Sequence, residues 1–313
     1  MRNTFMHVLA ICTISLLLPT IVYAQSNIVS ENEYNLAGDR VQETQYYIME
    51  SKLVNYALDG TRTGTDVFRL HLKYEPAEND QEIYTCTKFT VTISETPEIS
   101  IPQLDNWTYV YYPDIDEQGQ VFGIDHSKFD NLTDSSGNPI PPDKSYHVYN
   151  VFIDFHSFCN VFAEPTPEGN GIQDLTKIGQ KIVHAAANSE PPTNLGSNIS
   201  EGSFFKNGEI TLAFKGIGIV NEKYCAIIAY DSGESTYKMI SQPAPNFDVV
   251  TTGTSHYMGD IYKDLESNWV QKVTLTEFVV SETRLPVPPN TIPSINERDI
   301  LIRNVSAKEF EEQ

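Results

Sequence analysis

The sequence predicts an α+β fold: a strongly curved antiparallel sheet, a half-barrel-like meander, with a helical middle segment covering one face. Three observations predict it. Segments of period-two alternation occupy the early part of the chain and return after Ser203. Residues from about 113 to 192 show little strand alternation, and segments within them carry the three-and-four spacing of helices instead. The turns between the late strands are short, which makes consecutive strands antiparallel neighbours.

The chain opens on a leader. Met1-Arg2-Asn3 is a short positive start, Phe5 to Leu18 is apolar, and Val22-Tyr23-Ala24 suits a signal peptidase. Residues 1–24 therefore read as a secretory signal peptide. The expected location is exported, either periplasmic or extracellular. Residues 25–40 are polar and expected to be flexible. "TQYYIMESKLVNYALDG" and "TRTGTDVFRLHLKY" read as a long hairpin turning at Asp59-Gly60, a dipeptide that tolerates the positive φ of tight turns. In the second arm Phe68, Leu70, Leu72 and Tyr74 alternate with Arg69, His71 and Lys73, so His71 is expected on the wet face. "YTCTKFTVTIS" adds a strand with Phe89, Val91 and Ile93 on one side, and "WTYVYY" a short aromatic one.

Two middle segments carry helical spacing. Asn170–Asn188 reads as the clearest helix, with Ile172, Leu175, Ile178, Gly179, Ile182, Val183 and Ala186 in one stripe and His184 at its polar edge. "SYHVYNVFIDFHSFCNVF", Ser145 to Phe162, fits both periods. As a strand it would place Asp154 and His156 on one face. As a helix it gathers Val148, Val151, Phe152, Phe155, Phe158, Cys159 and Phe162, and turns His147, Asn150, Asp154 and Ser157 outward. The length of the run without Gly or Pro favours the helix over the strand, against the β-propensity of its Val, Ile, Phe and Tyr residues.

Strands resume with "GEITLAFKGIGIV", "KYCAIIAYDSG" and "STYKMIS". A last hairpin then pairs "GDIYKD" with "NWVQKVTLTEFVV" across Leu265-Glu266-Ser267. Residues 284–313 read as a Pro-rich linker and an acidic tail. That leaves 41–283 as a single domain with a helical insert at about 113–192.

Forty-two acidic residues against 21 basic give a net charge of −21. Such a surface repels phosphate backbones, so nucleic acid is not an expected partner. After the leader no stretch is apolar for long enough to span a bilayer. Cys12 falls too early, after a bulky Ile11, for lipid attachment. Cys86, Cys159 and Cys225 remain after cleavage. The odd count leaves one thiol unpaired, and the pairing stays open, with Cys86–Cys225 preferred because both lie in strand-like segments. Sequons at Asn106, Asn131, Asn198 and Asn304 would matter only in a eukaryotic secretory pathway.

The signal peptide and the meander ending "GDIYKDLESNWVQKVTLTEFVV" give the chain a resemblance to half-barrel proteins of bacterial envelopes, such as lipoprotein carriers and lipid-binding periplasmic proteins. The resemblance covers the strand-rich parts and carries no diagnostic motif. It implies a hydrophobic ligand cavity and no catalysis, and it transfers no functional residue.

The candidate chemistry is sparse. Asp154 with His156, and His256 elsewhere, are the catalytic candidates, a carboxylate beside an imidazole being able to orient a base. "GIDHSKFDNLTDSSGN" gathers carboxylates but lacks EF-hand spacing. "GTSHYMG" has Tyr257 where a nucleophile elbow needs its second Gly. No phosphate loop or metal motif occurs in the sequence, and no cofactor is expected. The leading expectation is an exported, non-catalytic envelope protein that binds a lipid or other hydrophobic small molecule. The residues expected to line its site are Phe68, Leu70, Leu72, Phe89, Val91 and Phe214. The alternatives are a secreted hydrolase built on scattered His and carboxylate residues, and a structural or adhesive module using the tyrosine-rich strands.

Overall fold

The computed structural model describes residues 32–77, 81–94, 96–113, 120–191, 200–244, 247–288 and 290–313. The expected signal peptide (1–24), residues 25–31 and the sequon at Asn198 lie outside the described residues. The fold is α+β and mostly β: one open, curved antiparallel sheet around a single 20-residue helix.

In chain order the strands are β1 (Gln45–Tyr56), β2 (Arg62–Pro76), β3 (Glu82–Thr92), β4 (Ile99–Ser100) and β5 (Trp107–Tyr111). Helix α1 (Pro142–His156) follows and continues as a π-type turn, Ser157–Val161. The chain then forms β6 (Lys181–Val183), β7 (Phe204–Lys206), β8 (Thr211–Val220), β9 (Lys223–Asp231), β10 (Ser235–Ala244) and β11 (Phe247–Asp264). It closes with β12 (Val270–Arg284), β13 (Thr291–Asn304) and the short α2 (Ala307–Glu312). The sheet runs β4-β3-β2-β1-β13-β12-β11-β9-β8-β6, with β5 sharing β3 and β10 sharing β11.

The β1–β2 hairpin turns where expected, with Gly60 at φ +83. The β11–β12 hairpin also forms, with Ile261 opposite Val273. At the far end two strands break together. β8 and β7 are interrupted at 207–210, and β9 and β10 at 232–234. Their backbones approach so closely that a Cβ on Gly208 would lie 2.5 Å from the Ser232 carbonyl oxygen. Gly233 takes φ +59 at the same corner. The 18-residue β11 runs unbroken past the corner and holds both halves.

The core lies between the concave face and α1. Phe68, Leu70, Leu72, Phe89, Val91 and Phe214 are fully buried. The helical period holds in α1: Val148, Val151, Phe152, Phe155, Phe158, Cys159 and Phe162 are all buried. Phe152 stacks on Phe89 with centroids 5.7 Å apart, and Phe155 meets Tyr47 edge-on. Each such ring contributes about 1.5–3 kcal/mol by burial. Pro142 in the first turn and Asp143 beside it suit a helix start. Because the sheet wraps α1 on more than one side, Tyr149, Asp154 and His156 are buried too. Tyr146, Asn150, Ile153, Ser157 and Val161 form the half-exposed stripe at the mouth of the trough.

Several expectations are corrected. Asn170–Asn188 is not a helix but a 3-10 turn, Ile172–Asp174, followed by β6. Gly179 at φ +92 interrupts helical dihedrals, and 181–183 pair with β8 instead. Ile172 and Leu175 are nonetheless fully buried, as an apolar stripe should be, and His184 is buried rather than at a polar edge. Within 113–192 the helical structure described is thus chiefly Pro142–Val161.

The stretch 284–313 is not a linker and tail. Its β13 sits in the sheet interior between β1 and β12, with Ile300 and Ile302 facing the core. α2 caps its own start through Ser306, which accepts a hydrogen bond from the Glu309 amide. Phe310 of α2 covers Tyr46 and His71, so His71 is buried at 6% exposure, not wet. Residues 32–40 are not free either: Leu36 is buried at 2% and Arg40 reaches the end of α1. Cys86, Cys159 and Cys225 are free and buried. Cys86 on β3 and Cys225 on β9 have five strands between them, far beyond disulfide reach along the sheet.

Candidate functional site

The trough that holds α1 is apolar at its base and ionic at its fastenings. Each fastening joins the helix or its end to a separate part of the chain. At the helix start, Lys144 Nζ donates to Asp66 Oδ2 of β2 at 2.6 Å, and the Ser94 amide holds the other carboxylate oxygen.

Midway, Arg298 of β13 gathers three partners. Its Nη1 donates to Asp154 Oδ2 at 2.6 Å and its Nε to Glu277 Oε2 at 2.8 Å, while Nη2 donates to the Tyr257 hydroxyl. Ser255 completes the shell by donating to Glu277 Oε1 at 2.6 Å. Burial raises the Asp154 pKa to about 6, against the pull of Arg298. Arg298 is held protonated by Asp154 and Glu277, which outweigh its desolvation.

At the far end the last carbonyls of the helical segment need donors, and two cations supply them. Arg40 donates to the Cys159 carbonyl and pairs with Glu164 at 2.5 Å, its guanidinium lying 4.2 Å from the Trp269 ring centre. Lys263 Nζ donates to the Ala163 carbonyl at 2.7 Å. Lys263 is 1% exposed, and burial followed by the Arg40 charge lowers its pKa to about 7. Around this end Arg40 Nε, Gln271 Nε2 and Asn160 Oδ1 have no partner among the described residues.

The structure separates the residues of the proposed Asp154–His156 site. Asp154 turns to Arg298, whereas His156 turns to β5, its Nε2 2.7 Å from the Tyr109 hydroxyl. The expectation that Asp154 faces outward is corrected, since the sheet reaches round to meet it. His147 is half-buried beside the same fastening. His156 is fully buried among Tyr84, Tyr111, Phe122 and Phe155, and burial lowers its pKa to about 3. A base in that position has no route to a substrate. His256 lies on the opposite face of the sheet, partly exposed, with Nε2 2.8 Å from Asp231 Oδ1. The neighbouring Ser255 hydroxyl is committed to Glu277 on the inner face, away from this imidazole. In the loop of 123–138, Asp134 Oδ1 accepts from the Ser136 and Asn138 amides.

Among the described residues no helix is long and apolar enough to cross a membrane, and no group of His, Cys, Asp and Glu is set to hold a metal. The chain matches no family model and no curated protein. Its own geometry therefore carries the functional reading.

Sequence reasoning missed Arg298, Glu277 and Lys263, although their signal was present. Glu277 continues the inward parity of Val273 and Leu275, Lys263 that of Ile261, and Arg298 that of Ile300 and Ile302. A charge on the buried parity of a strand marks a buried ionic contact.

Proposed function

We propose that this chain is an exported, non-catalytic binding protein for an apolar ligand, of the class of a lipid acyl chain, and that α1 occupies the ligand's place in the empty form. One observation carries the reading. A single helix fills a concave trough whose floor includes Phe68, Leu70, Leu72, Phe89 and Val91, with Phe214 buried against Tyr34 elsewhere on the sheet, and the helix's polar groups are fastened to the sheet at discrete ionic points. If α1 moves aside, the trough offers continuous apolar surface, while the ions that hold the helix return to water. A core built only to be stable gains little from buried ion pairs, which apolar residues of similar volume replace without loss. Their presence suits a helix that has to leave.

The test is uptake of a fluorescent fatty acid by the purified mature protein, with native mass spectrometry of protein gently extracted from its source. A bound acyl species and saturable uptake are expected. Absence of both, with α1 intact, overturns the reading. The hydrolase alternative rests on the exposed His256–Asp231 pair. A hydrolytic activity that His256→Gln abolishes would favour it instead.

A further inference from the structure

Besides His126, whose ring lies 4.8 Å from that of Tyr149, three imidazoles sit on or against α1, and among the described residues none of the three is ion-paired with a carboxylate. His147 and His156 belong to the helix itself. His184 packs edge-on against Phe162 at the helix's far end, 5.0 Å between ring centres. Each has a ring nitrogen sealed from water and without a partner: Nδ1 of His147, Nδ1 of His156 and Nε2 of His184. A neutral imidazole tolerates this, but an imidazolium needs two acceptors or water. The trough thus accepts all three rings only as neutral groups.

We propose that α1 is an acid-operated plug: protonation of His147, His156 and His184 drives the helix out of the trough and opens the apolar face beneath it. The purpose of that opening rests on the apolar-ligand reading above; the movement itself does not.

The groups around each ring set the direction. His147 faces Arg298 of β13 and Lys144 of its own helix, with Asp143 and Asp66 as weaker opposing charges, and Phe68 of β2 lies against its ring. Burial and the two cations bring its pKa to about 4. His156 faces Tyr109 and Tyr111 of β5, Tyr84 of β3, and Arg40, whose charge adds to the effect of burial, while Asn160 opposes both. His184 is shifted to about 4 by burial alone. On release each ring returns to its ordinary value near 6.5, so the released state takes up protons first. At about pH 5, each imidazole then biases the equilibrium toward release by roughly 30-fold.

Asp154 acts the other way. Its carboxyl holds a proton more tightly when seated than when released, which favours the seated helix by about tenfold at the same pH. Glu277, Tyr257 and Tyr146 are the other titratable groups facing this fastening. Three rings against one carboxyl leave a net bias toward release of roughly three-thousandfold.

Hydrogen exchange of the mature protein, corrected for the intrinsic pH effect, tests the plug at about pH 7.5 and pH 5. The expected result is at least a hundredfold loss of protection across α1 at the lower pH, with β12 and β13 still protected and binding of an anilinonaphthalene dye appearing together with it. A variant carrying His147→Gln, His156→Phe and His184→Gln should lose the response. Equal protection of α1 at both pH values overturns the proposal, as does uniform loss across β12 and β13, which is unfolding. Should that variant not fold, imidazole NMR titration of the unaltered protein decides: the three rings must gain protons together with the loss of α1 protection. Neutral rings at about pH 5 overturn it. Fatty-acid uptake separates the two claims. Opening without uptake at either pH retains the plug and removes the ligand reading. Uptake with α1 equally protected at both pH values removes the plug.

Discussion

Arg298 is the residue on which most of the fastening converges, because one guanidinium serves Asp154, Glu277 and Tyr257 at once. Arg298→Met leaves two carboxyl groups facing each other in a buried site, and should cost about 3–5 kcal/mol in urea unfolding at neutral pH. Adding Asp154→Leu and Glu277→Met to that variant removes the orphaned charges and should recover most of the loss. Failure to recover would mean the cluster's shape matters more than its charge. Lys263 makes a different prediction. Its folded pKa of about 7 lies below its ordinary value, so between about pH 7 and pH 10 the unfolded chain binds the proton more tightly. Stability therefore rises with pH through that window, by on the order of 4 kcal/mol for this group. Lys263→Met should abolish that rise, which unfolding curves measured at both ends of the window will show. Neither residue stood out in the sequence, because strand alternation hides which parity is buried until a neighbour such as Ile261 or Ile300 is known to face inward.

Among the elements, α1 was legible and β13 was not, for opposite reasons. The run from Ser145 to Phe162 carries its own period, and burial of Val148, Phe152, Phe155 and Cys159 on one side follows from it. β13 begins within "RLPVPPNTIP", a Pro-rich stretch that reads as a linker, and its charged "NERD" hides the inward parity of Arg298, Ile300 and Ile302. Its strand character is supplied by partners: β1 on one side and β12 on the other. Asn170–Asn188 failed in the reverse sense. Its apolar stripe is real, but Gly179 and the open edge of β8 turn it into a turn and a strand. The exchange also leaves β6 as a three-residue edge, too short to invite pairing with another chain. Truncation after Arg284 follows directly as a test. On a linker reading it would be harmless. With β13 interior it strips hydrogen bonds from two strands and removes Ile300, Ile302 and the Arg298 fastening. The truncated chain should be insoluble, or lack a cooperative transition by circular dichroism; a folded product of unchanged melting temperature would refute the sheet order.

At the level of the whole molecule, the open sheet brings the early and late parts of the chain together in its interior. β1 pairs with β13 over a continuous register from Tyr47–Asn304 to Tyr56–Ile295, so the first strand acquires one of its two neighbours from almost the far end of the chain. The half-barrel and its curvature could be anticipated from alternation and short turns. This pairing could not, since no local pattern states which distant strand will be a neighbour. It has a kinetic consequence. The β1–β2–β3 meander and the β8–β9, β11–β12 hairpins can form from local contacts, but α1 cannot be fastened at Asp154 until Arg298 arrives with β13. Closing a loop of that length carries a large entropy cost before any contact offsets it, and sheets dominated by such pairings fold in milliseconds to seconds or slower. Refolding from urea should therefore show two phases. A fast one gains far-UV signal from the hairpins. A slow one, on the order of seconds, carries the fluorescence change of Trp269, which lies against Arg40 at the end of α1. Ile302→Ala, on the inner face of β13, should slow the second phase and leave the first unchanged. If both phases slow equally, or a single phase carries all the signal, pairing of β13 is not the late step.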